Sequence, residues 1–271
     1  MAIPGKLSLV LPAHNEVLNL EAVVRRALEV LPELTEDFQV IVVDDGSRDG
    51  TAELADRLAA ESPKVRVVHH PVNRGYGAAL TSGFQAATGD YIMFMDADQQ
   101  FDSADLAHLA PFVPQADIVA GYRIERRDPW IRLVYARIFN LCMRLLFGLN
   151  VRDIDCAFKV YRADLLKSIE ITTAGALINT ELLVKARRAG ATIVEVGVRH
   201  FPRPTGESSG GSLKVILRAM RETIWLWWHM LGYRPPAVPT RGRPTPASLF
   251  LVRAVALATI GIGRASCRER V

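Results

Sequence analysis

Asp96-Ala97-Asp98-Gln99-Gln100 follows directly on the apolar run Tyr91-Ile-Met-Phe-Met95, which sets two carboxylates two residues apart where a buried strand leaves its sheet. Mg2+ or Mn2+ wants a few hard oxygens plus the phosphates of its substrate rather than a full protein cage, and an Asp-x-Asp pair supplies such a partial shell. Gln100 adds one neutral oxygen. A second apolar run, Gln39-Val-Ile-Val-Val43, ends the same way in Asp44-Asp45-Gly46-Ser47. Two adjacent like charges cost energy unless ligand donors or a cation meet them. Open α/β sheets bind ligands beyond the carboxyl ends of their strands, so two acidic strand ends predict a single crevice for a nucleotide diphosphate.

The flanking signals are less specific. Leu11-Pro-Ala-His-Asn-Glu16 closes the first strand, and Glu16 lies where a carboxylate can meet a base or a ribose hydroxyl. The same residues also suit a plain helix start, with Asn15 as cap and Glu16 favouring the dipole. Asn73-Arg-Gly-Tyr-Gly-Ala78 has the look of a phosphate loop with Arg74 as a contact, although close strand-helix packing explains two glycines equally well. No Gly-x-Gly-x-x-Gly follows the first strand, which makes a dinucleotide-dependent oxidoreductase the weakest reading.

Positioning these residues requires alternating strands and helices. Short apolar runs at 7–11, 39–43, 65–69, 91–95 and 118–122 read as strands. Between them, apolar residues recur at helical spacing from Leu20 to Leu31, from Thr51 onward, over 77–87 and over 105–112. This rhythm predicts an α/β fold with a mainly parallel sheet covered by helices on both faces. Beyond Arg123 the pattern changes to a long helix over 131–147, a short strand over 158–161, a helix over 179–189, a strand over 192–198 and a helix over 212–231. The Pro-, Gly- and Ser-rich stretch 201–212 predicts a mobile loop.

The organisation expected is one domain over 1–232, with residues 1–125 as its ligand half and 126–232 as an acceptor half. A Pro-rich linker over 233–246 and the start of an apolar segment over 247–261 follow; those 15 residues are too short to span a bilayer as they stand. Residues 262–271 back-translate as ATCGGAAGAGCGTCGTGTAGGGAAAGAGTG, a common short-read sequencing adapter read in frame, and are expected to be a scar. Without them the net charge falls from +4 to +2, so the charge balance gives no case for a nucleic-acid partner. Cys142 and Cys156 then remain, without metal-ligand spacing, and are expected to be buried thiols in a reducing compartment. The N-terminus carries no charged and apolar leader, so the domain is expected on the cytoplasmic side. Trp225, Trp227 and Trp228 near the end of the last helix fit either a bilayer interface or packing within the domain.

Together, LPAHNE, VVDDGSRDGT, NRGYGAA and DADQQF resemble the family 2 glycosyltransferases of GT-A fold over roughly the first 125 residues. Asp153-Ile-Asp-Cys-Ala-Phe-Lys-Val-Tyr-Arg162 and Arg199-His-Phe-Pro-Arg-Pro-Thr-Gly-Glu-Ser208 are similar to the dolichol-phosphate mannose synthase branch, which glycosylates polyprenyl phosphates; the chain departs from that branch at His14, Ala157 and Ser209. The resemblance implies a nucleoside site at Pro12, His14, Glu16, Asp44 and Asp45, with Arg74 on a phosphate. It implies a divalent ion, Mg2+ or Mn2+, on Asp96, Asp98 and Gln100, and transfer with inversion. A sugar hydroxyl as acceptor needs a general base, for which Asp153 and Asp155 are the candidates. A lipid phosphate is already anionic near neutral pH, its second pKa being about 6, and needs cations instead. Arg123, Arg132, Arg137, Lys159 and Arg203 lie in the segments expected to face the acceptor, with Ser208 beside them. The partners implied are a GDP- or UDP-linked sugar, a polyprenyl phosphate and the inner face of a membrane. Transfer to a saccharide and a non-catalytic nucleotide-sugar sensor are the alternatives.

Overall fold

The computed structural model describes residues 2–124, 130–175, 177–205 and 213–236. The first half runs β1 (Ile3–Ala13), α1 (Leu20–Leu34), β2 (Thr35–Asp44), α2 (Thr51–Glu61), β3 (Val65–His69), α3 (Tyr76–Ala86) and β4 (Tyr91–Met95). The second contains α4 (Leu106–Leu109), β5 (Ile118–Ile124), α5 (Trp130–Phe147), β6 (Phe158–Arg162), α6 (Ala163–Ser168), α7 (Ile178–Arg188), β7 (Ile193–Arg199) and α8 (Leu213–Leu231).

The strands form one sheet in the order β3-β2-β1-β4-β6-β5-β7. β6 runs antiparallel to both β4 and β5, while β1/β2, β1/β4, β2/β3 and β5/β7 pair in parallel. Because β2, β1 and β4 are parallel neighbours, the acidic residues that follow β2 and β4 emerge at one edge, with the end of β1 between them. Every residue of β1 from Leu7 to Ala13 is buried, and so is all of β4, as strands covered on both faces must be. That double burial is why both runs read as continuously apolar rather than alternating.

Several local expectations differ from the structure. The helix expected over 105–112 is broken into a 3-10 turn at Ser103–Asp105, one turn of α4 and a second 3-10 turn at Ala110–Phe112. The Asp102 side chain accepts from the Ala104 amide and tightens the start, and Pro111 cannot donate to continue a helix. α1 continues past Pro32 to Leu34, and the short α6 has no counterpart in the sequence reading. Cys156 is buried, as expected, but Cys142 is exposed, because it lies on the outward side of α5.

α5 and α8 show apolar side chains to the outside. Ile138, Leu141 and Leu145 recur at helical spacing on α5, with Leu145 75% exposed. On α8, Ile224, Trp228 and Leu231 do the same, with Trp228 64% exposed, while Thr223, Leu226 and Met230 face inward. Trp225 is also exposed and its ring lies 3.7 Å from that of His229. Among the described residues no helix is long and apolar enough to cross a membrane.

Candidate active site

At the end of β4 the chain turns through Gln99, which adopts a left-handed φ of 62°, and the turn brings Asp96 and Asp98 to the sheet edge. Asp98 is buried and accepts from the Gln100 amide at 3.1 Å. Asp96 keeps a partly open face and accepts from the Tyr76 hydroxyl at 2.9 Å. Burial and the neighbouring Asp98 charge push the Asp96 carboxyl up to about 7, and burial raises Asp98 as well. Two neighbouring carboxyls that both resist ionisation are a candidate seat for a cation.

Asp44 and Asp45 behave differently. Both are buried, and the chain itself supplies the donors they need. Asp44 accepts from the Ser47 amide and lies 3.3 Å from His69 Nδ1. Asp45 accepts from the Arg74 amide at 2.9 Å and the Gly75 amide at 2.8 Å, and its Oδ1 lies 2.7 Å from His70 Nδ1. The adjacent charges at 44 and 45 therefore need no ligand to explain them, contrary to the expectation from the sequence. Pro12 is likewise buried within β1, paired in register with Val43.

The glycine-rich loop is also explained by packing. Gly75 has a φ of 99°, and a Cβ there would lie 2.8 Å from the Ala174 carbonyl oxygen. A Cβ on Gly77 would meet the Thr173 carbonyl oxygen at 2.6 Å. Residues 172–175 that press on this loop are held from behind by Glu181, which is fully buried and accepts from the amides and hydroxyls of Thr172 and Thr173 and from Lys185. Burial works against the Glu181 charge, but these donors prevail and hold its carboxyl below the usual range. Nothing in the spacing of Glu181 announces this role, since it follows polar Asn179 and Thr180 in the first turn of α7.

The remaining residues divide into those near the edge and those elsewhere. His14 and Arg74 are exposed, and His14 Nδ1 lies 3.0 Å from the Asp45 carbonyl. Arg203, expected on the acceptor, instead donates to Glu16 at 2.6 Å and lies 3.6 Å from Asp98. Its segment is stapled across the seat: Phe201 donates to the Gln100 carbonyl, the Gln100 side chain donates to the Phe201 carbonyl, and Thr205 donates to Asn19. The guanidinium goes there because two carboxylates at the edge outbid a solvated surface position.

Lys159 is a clear correction. It is fully buried in β6, where its ammonium donates to the carbonyls of Ile154 and Cys156, and so it cannot meet an acceptor. Burial lowers its pKa. Arg123 is corrected too: it makes two 2.7 Å bonds to Asp153, one to each oxygen. Although burial opposes its charge, Asp153 prevails and raises the Arg123 pKa. Asp153 is buried and both of its oxygens are taken up by Arg123, whereas Asp155 is exposed. Arg137 is exposed on α5; the side chain of Arg132 and the whole of Ser208 lie outside the described residues.

The donor set fits a divalent ion in part. Among the described residues no three His, Cys, Asp or Glu side chains converge as a full cage. Asp96 and Asp98 offer hard oxygens, and an ion there would complete its shell from water or from oxygens of a bound ligand.

Comparison with known proteins gives a consistent result. The model of the glycosyl transferase family 2 matches residues 8–170. Glycosyltransferase AglD of Haloferax volcanii is 32% identical over 268 residues, which are 95% of this chain and 42% of that protein. The undecaprenyl-phosphate mannosyltransferase of Micrococcus luteus is 34% identical over 239 residues, covering 83% of this chain and 97% of its own length. The chain thus spans less than half of the first relative and nearly all of the second. Among solved structures, glucosyl-3-phosphoglycerate synthase of Mycobacterium tuberculosis, in complex with Mn2+, uridine diphosphate and glucosyl-3-phosphoglycerate, superposes with a TM-score of 0.64 at 23% identity. The match covers 86% of this chain and 82% of that one, and it is a likeness of fold.

Proposed function

Because the chain belongs to glycosyl transferase family 2 and has its GT-A fold, we propose that it transfers a hexose, with inversion and divalent-metal dependence, from a GDP- or UDP-linked sugar to a polyprenyl phosphate. The observation that carries the reading is the Asp96/Asp98 pair, two carboxyls raised by burial at the edge where β1, β2 and β4 end together. An ion held there would neutralise the diphosphate that leaves as the bond to the sugar breaks. His14, Glu16 and Arg74 lie at the same edge and would meet the nucleoside and its phosphates. Asp44, Asp45 and Pro12 would act from beneath, by fixing the turns that carry them.

The acceptor side supports a lipid phosphate over a sugar hydroxyl. Asp153 is committed to Arg123, which leaves Asp155 as the remaining base candidate for hydroxyl transfer. A phosphate acceptor needs no base, only cations, and Arg137 with Arg203 would provide them, Arg203 after leaving Glu16 and Asp98. The outward apolar stripes of α5 and α8 suit the surface of a bilayer in which such an acceptor resides, and we place the domain on its cytoplasmic face. The relative from Micrococcus luteus carries undecaprenyl phosphate and mannose in its name.

Incubation of the protein with Mn2+ and labelled GDP- or UDP-sugars, with either polyprenyl phosphate or oligosaccharide acceptors, tests the proposal. Label should enter the organic phase with the lipid acceptor. Label found only in saccharide would transfer the reading to hydroxyl chemistry at Asp155, and no metal-dependent turnover with any donor would remove it.

A further inference from the structure

Tyr76 occupies an unusual junction. It is the first residue of α3, preceded by Gly75 and followed by Gly77, and neither flanking position has room for a side chain against residues 173–175. The backbone on its N-terminal side is anchored by Asp45, which accepts from both Arg74 and Gly75. Its hydroxyl donates to Asp96 Oδ1 at 2.9 Å. The two residues Gly75 and Tyr76 therefore join the acidic end of β2 to the acidic end of β4, across the intervening end of β1. Asp45 spends its charge on fixing the loop, and the loop spends its phenol on fixing Asp96.

We infer that Tyr76 is a positioning residue for the ion seat: its hydroxyl occupies one oxygen of Asp96 and so fixes the carboxylate plane with the other oxygen turned to the ligand. The inference rests on the proposed metal-dependent transfer, and it adds a role that neither the Asp-x-Asp pattern nor the glycine-rich loop carries by itself. A carboxylate with one oxygen held by a fixed donor loses little freedom on meeting a cation. One left to rotate at a partly open edge must be ordered by the ion, at the expense of affinity.

The test is binding of Mn2+ followed by the loss of its free-ion paramagnetic resonance signal, in the presence of UDP and, separately, of GDP. Tyr76→Phe keeps the ring and its packing and removes only the donor, so it should melt close to the wild type in chelator. Its Mn2+ affinity should nevertheless fall about 10- to 100-fold, the usual consequence of losing a partner that orients a ligand. Asp96→Asn should weaken the ion strongly, and adding Tyr76→Phe to it should cost little more, since the tyrosine acts through that carboxylate. Wild-type affinity in Tyr76→Phe, or a full additional loss in the double variant, overturns the inference while leaving the seat in place. Failure of the wild type and Asp96→Asn to differ with either nucleotide would instead overturn the metal seat itself, and this inference with it.

Discussion

Replacing Asp96 by Asn should stabilise the protein in chelator at pH 8, although it removes a residue on which the proposed chemistry depends. The carboxyl moves from an ordinary 3.8 to about 7 in the folded state because burial and Asp98 both oppose its charge. Between those values the folded protein holds a proton that the unfolded chain has released, so stability falls as pH rises through the window. Carried in full, that rise corresponds to about 4 kcal/mol against the ionised fold above pH 7. The carboxyl keeps an open face and shares its proton affinity with Asp98, so about half of this, ~2 kcal/mol, is the expected gain for a neutral amide. The Tyr76 hydroxyl can donate to the amide oxygen as well, and no bond is lost. For a domain of this size the gain corresponds to a melting temperature about 4–8 °C higher at pH 8, shrinking towards zero at pH 4. Thermal unfolding of both proteins in EDTA across pH 4–8, taken as the difference between them, measures it. A variant no more stable than wild type at pH 8, or a difference independent of pH, would refute the electrostatic account of the seat. With Mn2+ and nucleotide present the order should reverse, because only the wild type gains binding energy.

Glu181→Gln should cost about 3 kcal/mol, since it leaves the buried Lys185 ammonium without its counter-charge, and the loss is measurable by urea unfolding. Glu181 is held below its ordinary 4.5, so its contribution is present above that pH and lost as pH falls; the variant should show a flatter acid limb. Arg203→Gln removes the cation 3.6 Å from Asp98 and should tighten Mn2+ binding without nucleotide about fivefold, or on the order of 1 kcal/mol at a half-open site, by the resonance titration above; weaker binding would contradict the competition. The double change Leu145→Ser with Trp228→Ser should lower partition onto anionic lipid vesicles more than tenfold, each side chain contributing about 1.5–3 kcal/mol when buried. Unchanged sedimentation with vesicles would argue against the outward faces of α5 and α8 as the contact.

The alternation of apolar runs with helical periodicity was sufficient for the α/β class, and the apolar runs that end in Asp44-Asp45 and Asp96 were sufficient to put both acidic pairs at strand ends, which the order β2-β1-β4 brings to one edge, because both follow from short-range pattern and a general rule of sheet architecture. Sequence spacing also marked Asp96 and Asp98 as candidates to hold a cation. It could not say which polar groups the chain would keep for itself. Asp44 and Asp45 look as exposed in the sequence as Asp96 and Asp98, yet amides from Ser47, Arg74 and Gly75 reach them only once the loops have folded back. Lys159 and Arg123 carry charges suited to a phosphate, but β6 lies inside the sheet between β4 and β5, and Asp153 meets Arg123 across thirty residues of chain. The link from Asp45 through Gly75 and Tyr76 to Asp96, and the bridge from Glu16 through Arg203 to Asp98, join residues far apart in sequence. Hydrogen bonds are decided by distances of a few tenths of an ångström, and only tertiary packing fixes those between distant segments.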